Sequence, residues 1–305
     1  MRIVHNVSII FLLKLSIFKK ESPMKNQIVP IFFLLTVSLL QSCSNDDPSP
    51  LALVVAERST GKLFVLDKTN GSRTEVGEVI QTGGEKLTNI RGMIFDANNR
   101  KIFVTTATSG GGAIYSVDTE TLIATVINND PSDHWYGVSD VMMTSDNQIL
   151  CALYYRSGAA VGFGPGLLLI DNTGTVKKQA RFSINNICCG MGMVAGGSNN
   201  QIIIAGSNLE IFSSNIDGAT KLIRNMVLVE FNSEDPGDYA IQNMVKDPSG
   251  TVYAIVYGYA DGNTYLAEVD FNSDELINIG RINDVDPEVD LERYHGLMLI
   301  PRNQL

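Results

Sequence analysis

The sequence predicts an all-β fold, and three observations carry that prediction. A short apolar strand ending in Asp recurs five times, closing at Asp67, Asp118, Asp171, Asp217 and Asp270, with steps of 51, 53, 46 and 53 residues. Ahead of it in each full unit stand a hairpin turn and a further β-rich run. The chain finishes on a strand of a kind that its first unit lacks. A period near fifty residues with four short strands per unit describes a propeller blade, so five units predict a five-bladed β-propeller. Pairing the C-terminal inner strand with the N-terminal strands closes the ring and hides the edges that an open repeat exposes. A six-bladed propeller with one degenerate blade is the alternative.

In chain order, residues 1–42 read as a signal region. Lys25 precedes an apolar run over 28–40, too short for a comfortable membrane span, and Ser42 stands before Cys43. A basic start, a short apolar core and a small residue before the cut mark a secretory signal. The Ser-Cys ending resembles a bacterial lipobox, which implies lipidation of the Cys43 thiol and attachment to a membrane. Residues 1–23 look like an over-long start, because Met24-Lys25-Asn26 opens the signal more naturally. Residues 43–50 are the expected lipidated tether. Its cluster Ser44-Asn45-Asp46-Asp47 resembles the export signal of surface-displayed lipoproteins. The expected location is the outer membrane at the cell surface, with a periplasm-facing position as the alternative.

Residues 51–305 hold the propeller domain, which opens with strands over 52–57, 62–67 and 74–79. Each later unit starts on a small-residue strand suited to a crowded axis, at 92–95, 138–143, 190–194 and 241–245. Tight turns follow at 98–100, 145–147, 198–200 and 248–250, rich in Asn, Asp, Ser and Gly. These residues tolerate positive φ or bond their own backbone. Second strands over 101–106, 148–154, 201–205 and 251–257 lead to the Asp strand. Each repeated Asp is expected to accept an N–H bond from two residues on and so pin the next hairpin. Residues 294–304 supply one more inner strand and the start of its turn. Over 51–305 the repeat is similar to generic propeller families such as the YVTN and NHL repeats. That resemblance implies the architecture and a sensing or binding role; no family-specific motif accompanies it.

Charge excludes one partner. The net charge is −10, and removing the +4 of residues 1–42 leaves −14 on the rest. Such a body repels phosphate backbones, so no nucleic-acid partner is expected.

Three links between units carry acids beside aromatic rings. The first runs from Asp130 through Asp133, His134, Trp135 and Tyr136. The second holds Asp235, Asp238 and Tyr239, and the third Asp290, Tyr294 and His295. In a propeller the link from an outer strand to the next inner strand crosses one face, so these groups are expected round one mouth of the channel. Asp140 is the inner-strand acid expected to point into the hub; Asp96 and Asp247 fall at the far turn. Carboxylates bond sugar hydroxyls, and rings stack on the apolar faces of pyranoses or on cations. Oxygen-rich loops also suit Ca²⁺. No other cofactor is indicated. Asp-Pro turns with rings packed over the hub are the purely structural alternative.

Cys188-Cys189 precedes an inner strand at the same face, where a vicinal disulfide would give a flat apolar surface. Buried free thiols, or a bridge from one of them to Cys151, are the other arrangements. The expected function is non-catalytic binding of a small or glycan-like ligand. Two alternatives stand beside it: a glycoside hydrolase-like enzyme with paired carboxylates in the funnel, and a scaffold that docks a surface protein partner.

Overall fold

The computed structural model describes residues 50–107, 112–129, 137–153, 165–184, 187, 192–197, 201–206, 208–282 and 294–305. Five antiparallel sheets form a five-bladed β-propeller. Blade 1 combines β1 (Leu51–Glu57), β2 (Lys62–Leu66) and β3 (Arg73–Glu78) with the last strand, β22 (Tyr294–Pro301), innermost. Blade 2 holds β5 (Ile90–Asp96), β6 (Lys101–Thr106), β7 (Ile114–Asp118) and β8 (Ile123–Asn128), with the short β4 (Ile80–Gln81) added in parallel to β8. Blade 3 holds β9 (Val138–Met143), β10 (Ile149–Leu153), β11 (Gly166–Ile170) and β12 (Val176–Arg181). Blade 4 holds β13 (Met193–Ala195), β14 (Gln201–Ala205), β15 (Glu210–Asn215) and β16 (Thr220–Asn225). Blade 5 holds β18 (Tyr239–Lys246), β19 (Val252–Gly258), β20 (Thr264–Asp270) and β21 (Glu275–Arg281), with β17 (Val227–Val229) in parallel on β21.

Ring closure follows the expectation. β22 pairs with β1 in antiparallel register from Leu51↔Pro301 to Glu57↔Tyr294. The two ends of the domain therefore share one sheet.

The core explains why the first three strands of each blade are so apolar. Each sheet stands radially and buries both faces against its neighbours, so alternation between core and solvent disappears. The buried side chains sort into five clusters, one per blade interface. In β1, Ala52, Val54 and Ala56 join the cluster shared with blade 2, whereas Leu53 and Val55 join the one shared with blade 5. In β10, Leu150 and Ala152 face blade 4, and Ile149, Cys151 and Leu153 face blade 2. Each fully buried Leu, Val or Ile contributes roughly 1.5–3 kcal/mol. Outer strands have one wet face, and β12 accordingly reads Val-Lys-Lys-Gln-Ala-Arg.

The repeated Asp pins its hairpin in four units. Asp67 accepts the N–H of Thr69 at 2.8 Å, Asp118 that of Glu120 at 3.1 Å, Asp171 that of Thr173 at 3.0 Å and Asp270 that of Asn272 at 2.8 Å. The fourth unit differs from the sequence reading. Asn215 does the pinning there, accepting from Asp217 and Ala219 at 3.0 Å, and Asp217 instead pairs with Lys178. An Asn oxygen accepts N–H bonds as an Asp oxygen does, so the position is kept while the acid falls two residues late.

Candidate functional site

Each inner strand starts on the face crossed by the blade-to-blade links and ends on the opposite face, where the pinned Asp hairpins lie. These are the link face and the turn face. Near the link face, among the described residues, four inner strands carry a β-bulge, at Arg91, Ser139, Gln242 and Gly296. A bulge leaves one residue outside the ladder and re-aims its neighbours.

Those bulges surround a ring of five equivalent positions: Gly92, Asp140, Gly192, Asn243 and Gly296. Every ring residue faces the next blade, and each following residue (Met93, Val141, Met193, Met244, Leu297) enters the interface with the previous blade. The three glycines are needed for close approach. A Cβ on Gly92 would stand 2.9 Å from the Asp140 Cα, and one on Gly192 2.9 Å from the Asn243 carbonyl carbon. Gly296 also adopts φ +66°, a conformation costly for other residues.

The two larger ring members fill the space and bind the exposed inner edges. Asp140 is 1% exposed. Its carboxylate accepts from the N–H groups of Val141 (2.9 Å), Met193 (2.8 Å) and Met244 (3.4 Å) and from the Asn243 amide (3.0 Å). Asn243 donates also to the Arg91 carbonyl at 2.7 Å and accepts from the Gly296 N–H at 2.8 Å. Two side chains thus connect the inner strands of all five blades. Burial pushes the Asp140 carboxyl up to about 7, against the pull of its N–H donors toward the anion.

Beside the ring, an Arg91 guanidinium N–H donates to His295 Nε2 at 3.1 Å. Burial, then the guanidinium charges of Arg91 and Arg58, hold His295 well below the ordinary value, so its imidazole is neutral and accepts. The Tyr294 ring is buried, edge-on to Phe64 at 5.9 Å and under the Arg73 guanidinium at 5.1 Å.

The blade 5 link is the best-defined part of the link face. Asp235 accepts from Gly237 N–H at 2.8 Å, which fixes a 3₁₀ turn over Pro236–Asp238. Asp238 accepts from the Ser233 hydroxyl at 2.6 Å. Its main-chain carbonyl accepts from the Tyr259 N–H at 2.7 Å, which ties the link to the loop between β19 and β20. In that loop Asp261 accepts from the Tyr265 hydroxyl, the Asn263 N–H and the Asn232 amide. Burial opposes the Asp261 charge, but those bonds outweigh it and hold the carboxyl below its usual value. Tyr259 is 49% exposed, and its ring meets Tyr257 edge-on at 5.1 Å.

The expected site residues therefore separate into groups. Asp235 and Asp238 lie on the link face with Tyr259 and Asp261. Asp140 lies in the hub, buried in hydrogen bonds. Tyr239 and Tyr294, expected to offer rings at the mouth, are core side chains. Tyr239 stacks edge-on with Phe231 at 4.9 Å and takes the Ser233 N–H on its hydroxyl at 3.0 Å. The inward direction at the first residue of each inner strand explains both corrections. His295 is likewise buried. Asp130, Asp133, His134, Trp135, Tyr136, Asp290, Cys188, Cys189 and Cys43 lie outside the described residues. Cys151 is a free buried thiol whose ionisation burial opposes.

Sequence reading missed Tyr259, Asp261, Asn243 and Arg91. The Gly258-Tyr259-Ala260-Asp261-Gly262 turn was a usable signal for the first two. Among the described residues no three His, Cys, Asp or Glu side chains are placed to hold a metal ion. No second carboxylate among them hydrogen-bonds within the Asp140 cluster. On the turn face a cleft of about 480 Å³ opens at the end of blade 1, with Lys68, Arg302 and Asp67 in its wall.

No protein-family model matches the chain, and no curated protein matches it in sequence. Solved structures do. One is a chain of a nidogen–laminin complex, at 11% identity and TM-score 0.50, covering 82% of this chain and 98% of that one. Another is TolB from Acinetobacter baumannii, at 12% identity and TM-score 0.45, covering 92% of this chain and 74% of that one. A GH43 β-1,3-galactosidase matches at 7% identity and TM-score 0.49, over 75% of this chain and 56% of that one. At such identities the likeness extends to the fold alone, and the chain is a β-propeller with five blades.

Proposed function

We propose that this protein is a lipid-anchored, non-catalytic propeller that binds a glycan-like or other small hydroxylated ligand on its link face. Tyr259 carries this reading. It is a half-exposed ring, braced by Tyr257 and by its backbone bond to Asp238, with the acids Asp235, Asp238 and Asp261 close by in the chain and in the same loops. A half-exposed ring in a loop tied to neighbouring acids suits a pyranose, whose apolar face stacks while its hydroxyls donate. The Ser-Cys43 signal supports attachment to the outer membrane.

The hub argues against the hydrolase alternative. Its acid, Asp140, is buried and committed to four N–H donors. Asp96 and Asp247 accept bonds from their own turns, from Asn98 at 2.9 Å and Ser249 at 2.9 Å. A retaining or inverting glycosidase needs two carboxylates that reach the sugar.

The test is a thermal-shift screen of the soluble domain, Ser44 onward, against oligosaccharides and Ca²⁺. A ligand that binds only the folded state raises Tm with concentration. A sugar-dependent rise that disappears in Tyr259→Ala or Trp135→Ala supports the reading. A sugar that is consumed during the assay favours hydrolysis. A flat screen, with and without Ca²⁺, favours protein docking.

A further inference from the structure

We propose that Asp140 is a proton-operated clasp at the hub of the propeller: as the anion it ties the inner strands together, and on taking up a proton it lets go of part of that network. This rests on the hub geometry and is independent of the ligand reading.

Oδ1 takes the Val141 N–H and the Asn243 amide, and Oδ2 takes the N–H groups of Met193 and Met244. Every hydrogen-bond partner that Asp140 has among the described residues is a donor, so the arrangement matches a carboxylate. A proton on either oxygen turns one acceptor into a donor facing N–H groups. At least one bond must then open: on Oδ2 that bond ties blade 3 to blade 4 or 5, and on Oδ1 it is either the tie to Asn243 of blade 5 or the Val141 bond within β9. None of the four bonded groups can accept the new O–H unless the Asn243 amide turns over. That turn would present NH₂ to the Gly296 N–H and loosen blade 1 as well.

The charged and titratable groups packed round the clasp do not offset its charge. From β5 comes Arg91, whose carbonyl accepts from Asn243 and whose guanidinium lies on His295 rather than on the carboxylate. From β22 comes His295, held neutral. From β10 comes Cys151, paired with Val141 in the ladder and held as the thiol, which Asp140 itself reinforces. The described parts of β13 and β18 contribute Met193, Asn243 and Met244 and no charge. Among the described residues no cation bonds Asp140. Burial therefore works against the anion while the four donors work for it, and the balance falls near neutral pH.

Selective ¹⁵N-methionine labelling of the soluble domain tests this, because Met193 and Met244 both donate to Asp140. Their amide signals are assigned with Met193→Leu and Met244→Leu and followed from about pH 3 to about pH 9, a range that spans the ordinary Asp value and the raised one. Both signals are expected to move together, with a midpoint near 7, and Met193 to exchange its amide proton faster on the acid side. In Asp140→Asn both are expected to stay flat. Signals that stay flat in the wild type, or move with a midpoint in the ordinary Asp range, overturn the proposal and leave a permanent anion. If Asp140→Asn does not fold, the Asp140 side-chain ¹³C carboxyl signal of the wild type reads the same midpoint directly.

Discussion

The hub and the turn face use the same residue in opposite ways. On the turn face Asp67 and Asp118 are exposed, Asp171 and Asp270 are partly exposed, and all four bond donors within four residues of themselves in sequence. Their nearest donors hold them below the ordinary carboxylate value: the Thr69 and Thr173 hydroxyls for Asp67 and Asp171, the Thr121 and Asn272 N–H groups for Asp118 and Asp270. Asp140 is buried, and two of its donors lie 53 and 104 residues away. Its carboxyl is pushed up. The turn-face acids shape local hairpins one at a time; the buried one connects blades.

That difference makes the hub the more sensitive region. Asn243→Ala removes the partner of the Gly296 N–H and the Arg91 carbonyl and one donor to Asp140. The expected loss is about 3–5 kcal/mol, because buried groups are left unpaired. Urea titration should show a lower midpoint at unchanged slope. Gly296→Ala comes next, at about 2–3 kcal/mol, from a positive φ and a Cβ pressed on Met93. A loss equal to that of an exposed glycine would contradict the crowded ring.

Asp118→Asn should do less than either, and its effect should depend on pH. A carboxyl held low in the fold stabilises above its unfolded pKa, and that contribution is lost as pH falls through the folded value. Asp140 has the opposite sign. Its folded pKa is raised because burial leaves the anion poorly solvated, so overall stability falls as pH climbs from the ordinary Asp value to about 7, even though the anion makes more of the hub bonds than the acid does. Thermal melts of wild type and Asp118→Asn from about pH 3 to about pH 8 should converge at the acid end. Curves that run parallel throughout would mean that the turn acid acts by shape alone.

The same contrast explains what could be read in the chain. The hairpin acids recur at a fixed place in four of the units, with Asn215 in that place in the fourth, and their donors follow within a few residues, so the repeat and the blade number were legible. Ring closure was legible because the surplus strand at 294–301 matches the inner strands of the other units. The ring Gly92–Asp140–Gly192–Asn243–Gly296 was only half legible. Its small residues were visible as a crowded axis, but the pairing of Asp140 with Asn243 spans 103 residues and depends on bulges that no local pattern marks. Tyr239 and Tyr294 were misplaced for a related reason. They sit beside acids in sequence, yet each begins an inner strand and turns into a blade interface. Tyr259 follows a strand end instead, and the Asp261 turn leaves its ring half outside.

The link-face reading rests on that one ring more than on any other described residue. Tyr259→Ala should change stability by no more than about 0.5 kcal/mol, as a surface substitution away from the core does. A glycan array probed with fluorescent soluble domain separates binding from stability. Wild type and Lys68→Glu, altered in the turn-face cleft, should give the same set of bound sugars, and Tyr259→Ala should lose it. Binding that survives Tyr259→Ala and disappears in Lys68→Glu would contradict the account and move the site to the opposite face.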